Sequence, residues 1–222
     1  MELQNLTTLS LGLYGEQLGK LPDAGPVLQA QFSDTEVVVY QAYKDSIAAY
    51  AVEHQGFGGG EFSFRRVSWV KPNFSWMMYR CGWAEKDDRQ TRVLAIRLKR
   101  PFWDEILGGA VAANYNEGSR RRYATREEWR KAMQDAPVVL QWDPDHEPFT
   151  NEKYPRRAIQ LGIRSVLLGR FAHDTEDCGI FSIEDITDFV KATKGKAMRQ
   201  ADPLADLWTP VETIYPMPGH LV

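Results

Sequence analysis

The sequence predicts one α+β domain with a mixed β-sheet and short helices packed around it. Its 222 residues are the size of a single domain, and 43% hydrophobic with 26% charged residues is enough apolar material for a core. Short strand patterns and short helix patterns mix along the chain. They lack the regular strand–helix–strand spacing of a doubly wound parallel sheet, which favours the mixed α+β class.

Composition divides the chain into three segments. Residues 1–34 mix Leu, Thr, Gly and Pro without a sustained period and are expected to form an N-terminal arm. Residues 35–200 are predicted to form the catalytic-like domain. Residues 201–222 carry four prolines, which predicts an irregular C-terminal tail packed on the domain.

The first half of the domain has clear local signals. Val37–Val39 and the aromatics after them are typical of a buried strand, and Asp45 and Asn73 are positioned to cap helices. The patterns predict, in chain order, a strand over 36–43, a helix over 46–54, a strand over 64–70 and a helix over 74–80.

The second half has a capping box, Thr125 with Glu128, that opens a helix. Residues 114–123 are basic and polar and are expected to form a loop. Strands are predicted over 92–98, 138–142, 157–163 and 178–183, and helices over 101–108, 126–134, 165–171 and 183–193.

Several functional classes are excluded or disfavoured by composition. The net charge of −3 gives no overall attraction to nucleic acid, although a local basic groove is compatible with it. The two distant cysteines suit a reducing, cytoplasmic location, and neither a membrane span nor an export signal is expected. The sequence has no dinucleotide fingerprint, Walker loop, serine-hydrolase elbow or zinc-protease motif.

The richest segment is 67–83, which combines three tryptophans with Lys71 and Arg80. Aromatic walls with a few placed polar groups are typical of ligand pockets. The competing interpretation is core, because aromatics at helical spacing usually pack inward. Buried cations need a partner, which keeps the binding interpretation open.

Two further segments contain residue types that bind nucleic acids or metal ions. Arg120, Arg121 and Arg122 lie beside Tyr123, a pattern that suits a phosphate backbone and stacked bases; the alternative is a solvated face neutralised by nearby glutamates. The acidic run 143–147 offers potential metal ligands, but adjacent ligands point in different directions, so an acidic turn is favoured and no metal site is expected.

The phrases at 39–43, 69–74, 76–80 and 141–144 identify the chain, over about residues 36–193, as a member of an uncharacterised family, the domain of unknown function 4291. A second likeness is to the DNA-targeting ADP-ribosyltransferase toxins. The order of Ser75 to Tyr79, a hydrophobic strand, and a strand beginning at Arg157 resembles theirs. This resemblance implies a split sheet like that of the ADP-ribosyltransferase fold.

The toxin resemblance also implies NAD as a substrate and single-stranded DNA or RNA as a possible acceptor. It implies catalytic roles for Gln160, which would orient the ribose, and Tyr79. Arg120, Arg121 and Arg122 would contact the nucleic acid. The candidates for binding NAD are Tyr40, Gln41, Tyr43, Lys71, Ser75, Trp76, Arg80 and Arg157.

Gln160 departs from the resemblance, because the toxins carry a catalytic glutamate at this position. A neutral amide positions the ribose without stabilising the developing positive charge. Either Asp143 or Glu147 supplies that charge, or the chemistry is slow, altered or absent. The sequence therefore favours an ADP-ribosyltransferase-like protein. A non-catalytic single-stranded nucleic-acid-binding module is the alternative, and metal-assisted hydrolysis at 143–147 ranks last.

Overall fold

The computed structural model describes residues 2–150, 152–172 and 178–221. The strands are β1 (Leu11–Leu13), β2 (Gly25–Pro26), β3 (Gln29–Ala30), β4 (Glu36–Tyr43), β5 (Ser68–Val70), β6 (Arg92–Lys99), β7 (Ala110–Ala112), β8 (Val138–His146), β9 (Lys153–Ile163), β10 (Ile180–Asp185), β11 (Trp208–Pro210) and β12 (Thr213–Ile214). The helices are α1 (Tyr14–Leu18), α2 (Asp45–His54), α3 (Phe74–Cys81), α4 (Arg100–Gly108), α5 (Glu117–Arg122), α6 (Arg126–Asp135), α7 (Ser165–Ala172) and α8 (Thr187–Ala197).

Two sheets organise the fold. The first is antiparallel, in the order β10–β6–β4. The second has the order β2–β9–β8–β7, and β5 pairs with residues 161–163 of β9, beyond the part that pairs with β2. In this second sheet β2 runs parallel to β9 and β7 runs parallel to β8. The strands β5 and β8 each run antiparallel to β9. The prediction of a mixed α+β domain is confirmed.

The two sheets meet at a single backbone bridge. The Tyr40 N–H donates to the Lys71 carbonyl at 2.7 Å, and the Lys71 N–H donates to the Tyr40 carbonyl at 3.1 Å. Pro72 has no N–H to continue such a ladder, so the contact ends there. Lys71 is thereby held at the junction between the sheets.

The core has two parts, and β4 separates them. Val37 and Val39 pack into the part that lies between the sheets and also contains the core-facing side chains of β9. Val38 and Tyr40 point the other way, into a second part built on α3 and α8. Because side chains alternate along a strand, a strand that is buried on both faces reads as a continuous apolar run, as β4 does.

The two ends of the chain pair with each other. β1 pairs with β11, β3 pairs with β12, and β2 adds to the edge of β9. Leu9 and Leu28 in the N-terminal segment are buried in the core. Residues 2–34 are therefore built into the domain, where the sequence predicts an arm, and the tail contributes two strands where it predicts irregular structure.

Two of the three predicted caps are confirmed, whereas Asp45 is the first residue of α2 and Lys44 stands at the N-cap without a side-chain cap bond. Asn73 accepts the Trp76 N–H at 2.6 Å at the start of α3, and Thr125 accepts the Glu128 N–H at 3.1 Å at the start of α6. The basic segment predicted as a loop contains the short helix α5, capped by Asn116. Among the described residues, no helix is both long and apolar enough to span a membrane.

Candidate functional site

One face of the second sheet carries a row of polar side chains. β8 and β9 pair so that Gln141 lies opposite Gln160 and Asp143 lies opposite Ala158. Side chains two residues apart on a strand share a face, so Gln160 and Arg156 lie on the same side of β9. The other side of β9 carries the apolar residues of the core. We call this row the polar face.

Gln160 is fixed in orientation at the middle of the polar face. Its side-chain amide donates to Gln141 Oε1 at 2.9 Å and to Asp143 Oδ2 at 2.7 Å. The residue is only 8% exposed. Both amide hydrogens are thus used, and no described residue donates to its carbonyl oxygen. Gln160 therefore presents an acceptor, with the Asp143 carboxylate beside it.

Lys71 joins this group from the side. β5 pairs with β9 so that Val70 lies opposite Leu161, and continuing that register by one residue places Lys71 opposite Gln160. Its ammonium donates to the Trp69 carbonyl at 3.2 Å. Among the described residues, no carboxylate lies within ion-pair distance of it. Lys71, Gln141, Asp143 and Gln160 form what we call the Lys71–Gln160 cluster.

Burial, together with the positive charge of Arg80, lowers the pKa of Lys71 from 10.5 to about 7, although Cys81 and Asp143 act in the opposite direction. The side chain is buried to 7% exposure without a paired carboxylate, so its charged form has lost water without gaining a counter-ion. An anionic ligand at this position would restore the charged form. The cluster is therefore poised to respond to a negative charge.

The neighbouring wall of the cluster is aromatic. Trp69 lies opposite Gly162 on β9, and its ring covers the position where a side chain would stand. A Cβ atom at Gly162 would come within 2.5 Å of Val67 and 3.1 Å of the Trp69 ring, so glycine is required there. Trp69 is half-buried and belongs to the same face as Gln160.

A second charged group, the Asp145–Arg156 pair, lies further along the polar face. The Arg156 guanidinium donates twice to Asp145 Oδ2, at 3.0 and 3.1 Å, and both side chains are at most 10% exposed. Burial raises the pKa of Asp145, although Arg156 opposes the rise. A small cavity of about 20 Å³ adjoins the pair and is also lined by Ser75 and Glu212.

Glu212 closes this cavity at the start of α3. Its Oε1 accepts the Phe74 N–H at 2.7 Å. Burial raises the pKa of Glu212 well above its usual value, and the charge of Asp145 adds to the rise. Ser75, predicted to bind NAD, therefore lies beside Asp145 and Glu212, in a recess too small for a dinucleotide.

The aromatic side chains of α3 stack on a histidine. The Tyr79 ring lies 3.8 Å from the ring of His146 and 5.3 Å from that of Trp76. Trp76 and His146 are buried, while Tyr79 is half-exposed and Arg80 is exposed at the end of the helix. Neither ring nitrogen of His146 has a hydrogen-bond partner among the described residues.

The predicted tyrosines of β4 do not share a pocket. Tyr40 is fully buried against Phe74 in the second part of the core, and Tyr43 points to the opposite face. The Tyr43 hydroxyl donates to Gln41 Oε1 at 3.2 Å and also contacts Ser68. Tyr40 and Tyr43, both predicted to bind NAD, therefore do not line one pocket. Trp69 and Tyr79 are two half-buried aromatics near the polar face.

The remaining predicted cations lie away from the cluster. Arg157 is exposed and, three residues from Gln160 on a regularly paired strand, points to the opposite side of β9. On α5, Arg121 pairs with Glu117, Arg122 donates to the Ala110 carbonyl, and Arg120 lies over the ring of Tyr115. Lys71 and Arg80 are the predicted cations that share an electrostatic environment.

The acidic run 143–147 is used within the protein. Asp145 binds Arg156, and Glu147 accepts the N–H groups of Phe149 and Thr150. In the described ranges, no group of three potential metal ligands comes together. Within this run, the Asp143 carboxylate is the one that accepts a hydrogen bond from the Gln160 amide. Glu147 does not contact Gln160.

Sequence reasoning missed Gln141 and Trp69, which flank Gln160 in space. Their only signal was the alternation of β8 and β5, and that alternation gives the face of each residue without giving its cross-strand partner. The Asp145–Arg156 pair was missed for the same reason.

The chain belongs to the family described as Domain of unknown function (DUF4291), whose model matches residues 27–215. This confirms the family that the sequence predicts. No curated protein matches the sequence significantly. Since the family name carries no activity, the function has to be argued from the site.

Proposed function

We propose that the protein binds NAD at the Lys71–Gln160 cluster and transfers its ADP-ribose to an acceptor, with nucleic acid favoured. The observation that carries the proposal is the pairing of Gln160 with Asp143 at 2.7 Å. A glutamine that replaces a catalytic glutamate lacks its charge, and here a carboxylate lies directly beside the amide. Together the two side chains supply both a fixed acceptor and a negative charge.

In this mechanism the Gln160 carbonyl oxygen accepts a hydrogen bond from a ribose hydroxyl and orients the sugar. The bond between ribose C1′ and the nicotinamide nitrogen breaks, and its electron pair leaves with nicotinamide. The Asp143 carboxylate stabilises the positive charge that develops on the ribose. The acceptor then forms a bond to C1′ and releases a proton.

The cations near the cluster suit the pyrophosphate. Lys71 has no carboxylate in ion-pair contact, and Arg80 is exposed nearby on α3. A phosphate would stabilise the ammonium form of Lys71 and remove part of the cost of burying it. The half-buried Trp69 supplies a planar apolar wall for the nicotinamide side. Tyr79 is the second accessible ring.

The test is a calorimetric titration with NAD of the wild type and of Asp143→Asn and Gln160→Leu. We expect saturable binding by the wild type and Asp143→Asn, and binding at least about tenfold weaker for Gln160→Leu, because one positioned hydrogen bond is lost. Lys153→Ala, an exposed position on the same strand, is the matched control and should bind like the wild type.

Activity separates the two roles. Release of nicotinamide should fall at least about 100-fold in Asp143→Asn, since a group that stabilises the transition state is lost while binding remains. Gln160→Glu should retain or raise the rate. Absence of NAD binding up to millimolar concentrations by the wild type would remove the transferase proposal.

The alternative function is a non-catalytic nucleic-acid-binding module. The exposed positions of Arg120 and Arg121 on α5 favour it. It predicts salt-sensitive binding of single strands that is indifferent to NAD and weakened by Arg120→Ala. Two free, buried cysteines fit the cytoplasmic location that we propose for either function.

A further inference from the structure

A wide groove lies at the other end of β5 from Lys71, between the start of α2 and the segment 61–68. Its volume is about 440 Å³ and it opens to solvent. Side chains that line it include Tyr43, Lys44, Phe62, Arg66, Ser68 and Arg89. The groove combines aromatic rings with three cationic groups.

The aromatic side of the groove is rigid. The Tyr43 hydroxyl bonds to Gln41 and contacts Ser68, while Gln41 itself donates to Ser68 at 2.8 Å. Phe62 stacks on Phe57 with the ring centres 5.1 Å apart. Its half-exposed ring is therefore held in place at the groove. A fixed aromatic face binds a planar ring at low entropic cost.

The wall that carries Phe62 is anchored by the glycine-rich loop before it. Gly58 packs so close to Tyr50 that a Cβ atom would lie 2.9 Å from the hydroxyl, and Gly59 has a φ of +75°. Glu61 then binds both Lys44 and Ser46 at the start of α2. The glycines shape the wall of the groove by packing on Tyr50.

Two of the three cations are available to a ligand. Lys44 is neutralised by Glu61. Arg89 has an 85% exposed side chain and only a 3.6 Å contact with Asp87. Arg66 is exposed and has no ion pair within the described part of the chain. The groove thus offers, next to an aromatic face, Arg66 with no ion pair among the described residues and Arg89 with a single long, exposed ion pair.

The groove and the Lys71–Gln160 cluster both border the strand β5 and its start. Val67 lines the groove and also packs over Gly162, two residues from Gln160 on β9. The strand then leads through Trp69 to Lys71. A molecule in the groove would therefore lie beside the proposed NAD site, where an acceptor is needed.

We propose that this groove binds one unstacked nucleotide of a single-stranded nucleic acid, with its base against Phe62 and Tyr43 and its phosphate on Arg66 and Arg89. The inference deepens the proposed function, since it names the acceptor and its binding place. Bases are open to aromatic stacking in a single strand and hidden in a duplex. Guanidinium groups suit phosphate oxygens.

The experiment measures the fluorescence anisotropy of labelled oligothymidylate eight nucleotides long. We expect the double variant Arg66→Ala/Arg89→Ala to bind at least about tenfold more weakly, with a salt dependence lower by roughly 0.7 in log–log slope because one phosphate is no longer neutralised. Phe62→Leu should weaken binding at least about fivefold by removing the stacking ring. Arg65→Ala removes a neighbouring exposed cation that does not line the groove, and should bind like the wild type.

Equal losses in the double variant and in Arg65→Ala would overturn the inference, and so would equally tight binding of a duplex of the same length. NAD titration of the double variant distinguishes the two proposals. If NAD binding falls and oligonucleotide binding does not, the groove holds part of NAD and the inference is wrong. If the wild type ignores NAD but binds the oligonucleotide through Arg66 and Arg89, the inference stands and the transferase proposal fails.

Discussion

The two charged groups on the polar face solve the problem of burial differently. In the Asp145–Arg156 pair, each charge has an opposite charge in direct contact, with two hydrogen bonds to one carboxylate oxygen. In the Lys71–Gln160 cluster, Lys71 is buried to a similar degree but donates only to the Trp69 carbonyl. One group is neutralised internally and the other is not.

This difference separates a structural role from a binding role. A buried ion pair rarely stabilises a fold relative to apolar residues, but breaking it leaves one charge stranded. A buried cation without a counter-ion is costly as it stands, and a ligand that brings negative charge relieves the cost. We therefore expect damage to the pair to affect stability and damage to Lys71 to affect binding.

The largest expected effect is on stability. Replacing Arg156 by leucine should lower the free energy of unfolding by about 3–5 kcal/mol at pH 7, because the Asp145 carboxylate loses its partner while remaining buried. The loss should shrink toward pH 5, since protonation removes the stranded charge. Urea denaturation at the two pH values measures both effects.

The matched control for that change is the double variant Asp145→Leu/Arg156→Leu. With neither charge present, it should recover most of the lost stability. If the double variant is as unstable as Arg156→Leu alone, shape and packing of Arg156 against Tyr154, whose ring centre lies 4.6 Å from the guanidinium, matter more than charge. The contrast between the two groups would then fail.

An intermediate effect is expected at Lys71, with a defined pH dependence. The folded pKa is about 7 and the unfolded value is 10.5. Between these values the unfolded chain binds the extra proton, so the stability contributed by this group rises with pH. From pH 7.5 to pH 9, the wild type should gain about 2 kcal/mol relative to Lys71→Met, at about 1.4 kcal/mol per pH unit.

NAD binding should change with pH in the opposite direction, because the ammonium form holds phosphate. Calorimetry should show affinity weakening as the pH rises above 7 in the wild type and much less change in Lys71→Met. Chemical denaturation of the wild type and Lys71→Met measures how the free energy of unfolding of each protein changes with pH. Parallel pH curves for the two proteins in both measurements would show that Lys71 is paired and does not belong to a binding site.

Local structure was predictable from sequence where a few neighbouring residues decide it. The apolar run of β4 and the Asn73 cap of α3 depend on residues close in sequence, and both predictions are confirmed. The pairing of the arm with the tail depends on contacts more than 180 residues apart, such as Leu11 with Pro210. Short strands with no strong period give no local signal of such pairing.

The candidate site was predictable in part for a related reason. Lys71 was singled out as a cation in an aromatic segment, and Gln160 because the toxin resemblance implies a catalytic role at its position. The neighbours that give them their chemistry, Gln141 and Asp143, are set by the register of β8 on β9. Register follows from the hairpin as a whole, so a sequence pattern names the residues and leaves their partners open.

The smallest effect is expected at Arg157, where the sequence and the structure disagree. The sequence groups Arg157 with Lys71 as a candidate for binding NAD, whereas the structure exposes it on the opposite side of β9 from Gln160. Arg157→Ala should therefore change the free energy of unfolding by less than about 0.5 kcal/mol and leave NAD affinity unchanged. Calorimetry of Arg157→Ala and Lys71→Met measures the free energy of unfolding and the NAD affinity of both variants.

Arg156 and Arg157 make this comparison sharp, because they are adjacent in sequence and differ only in the face they occupy. Arg156 is buried against Asp145, and the neighbouring side chain must point away from it. A loss of NAD binding in Arg157→Ala would place the ligand on the opposite side of β9 from Gln160. It would also move the proposed site off the polar face, since no ligand on that face reaches both Gln160 and the far side of its strand.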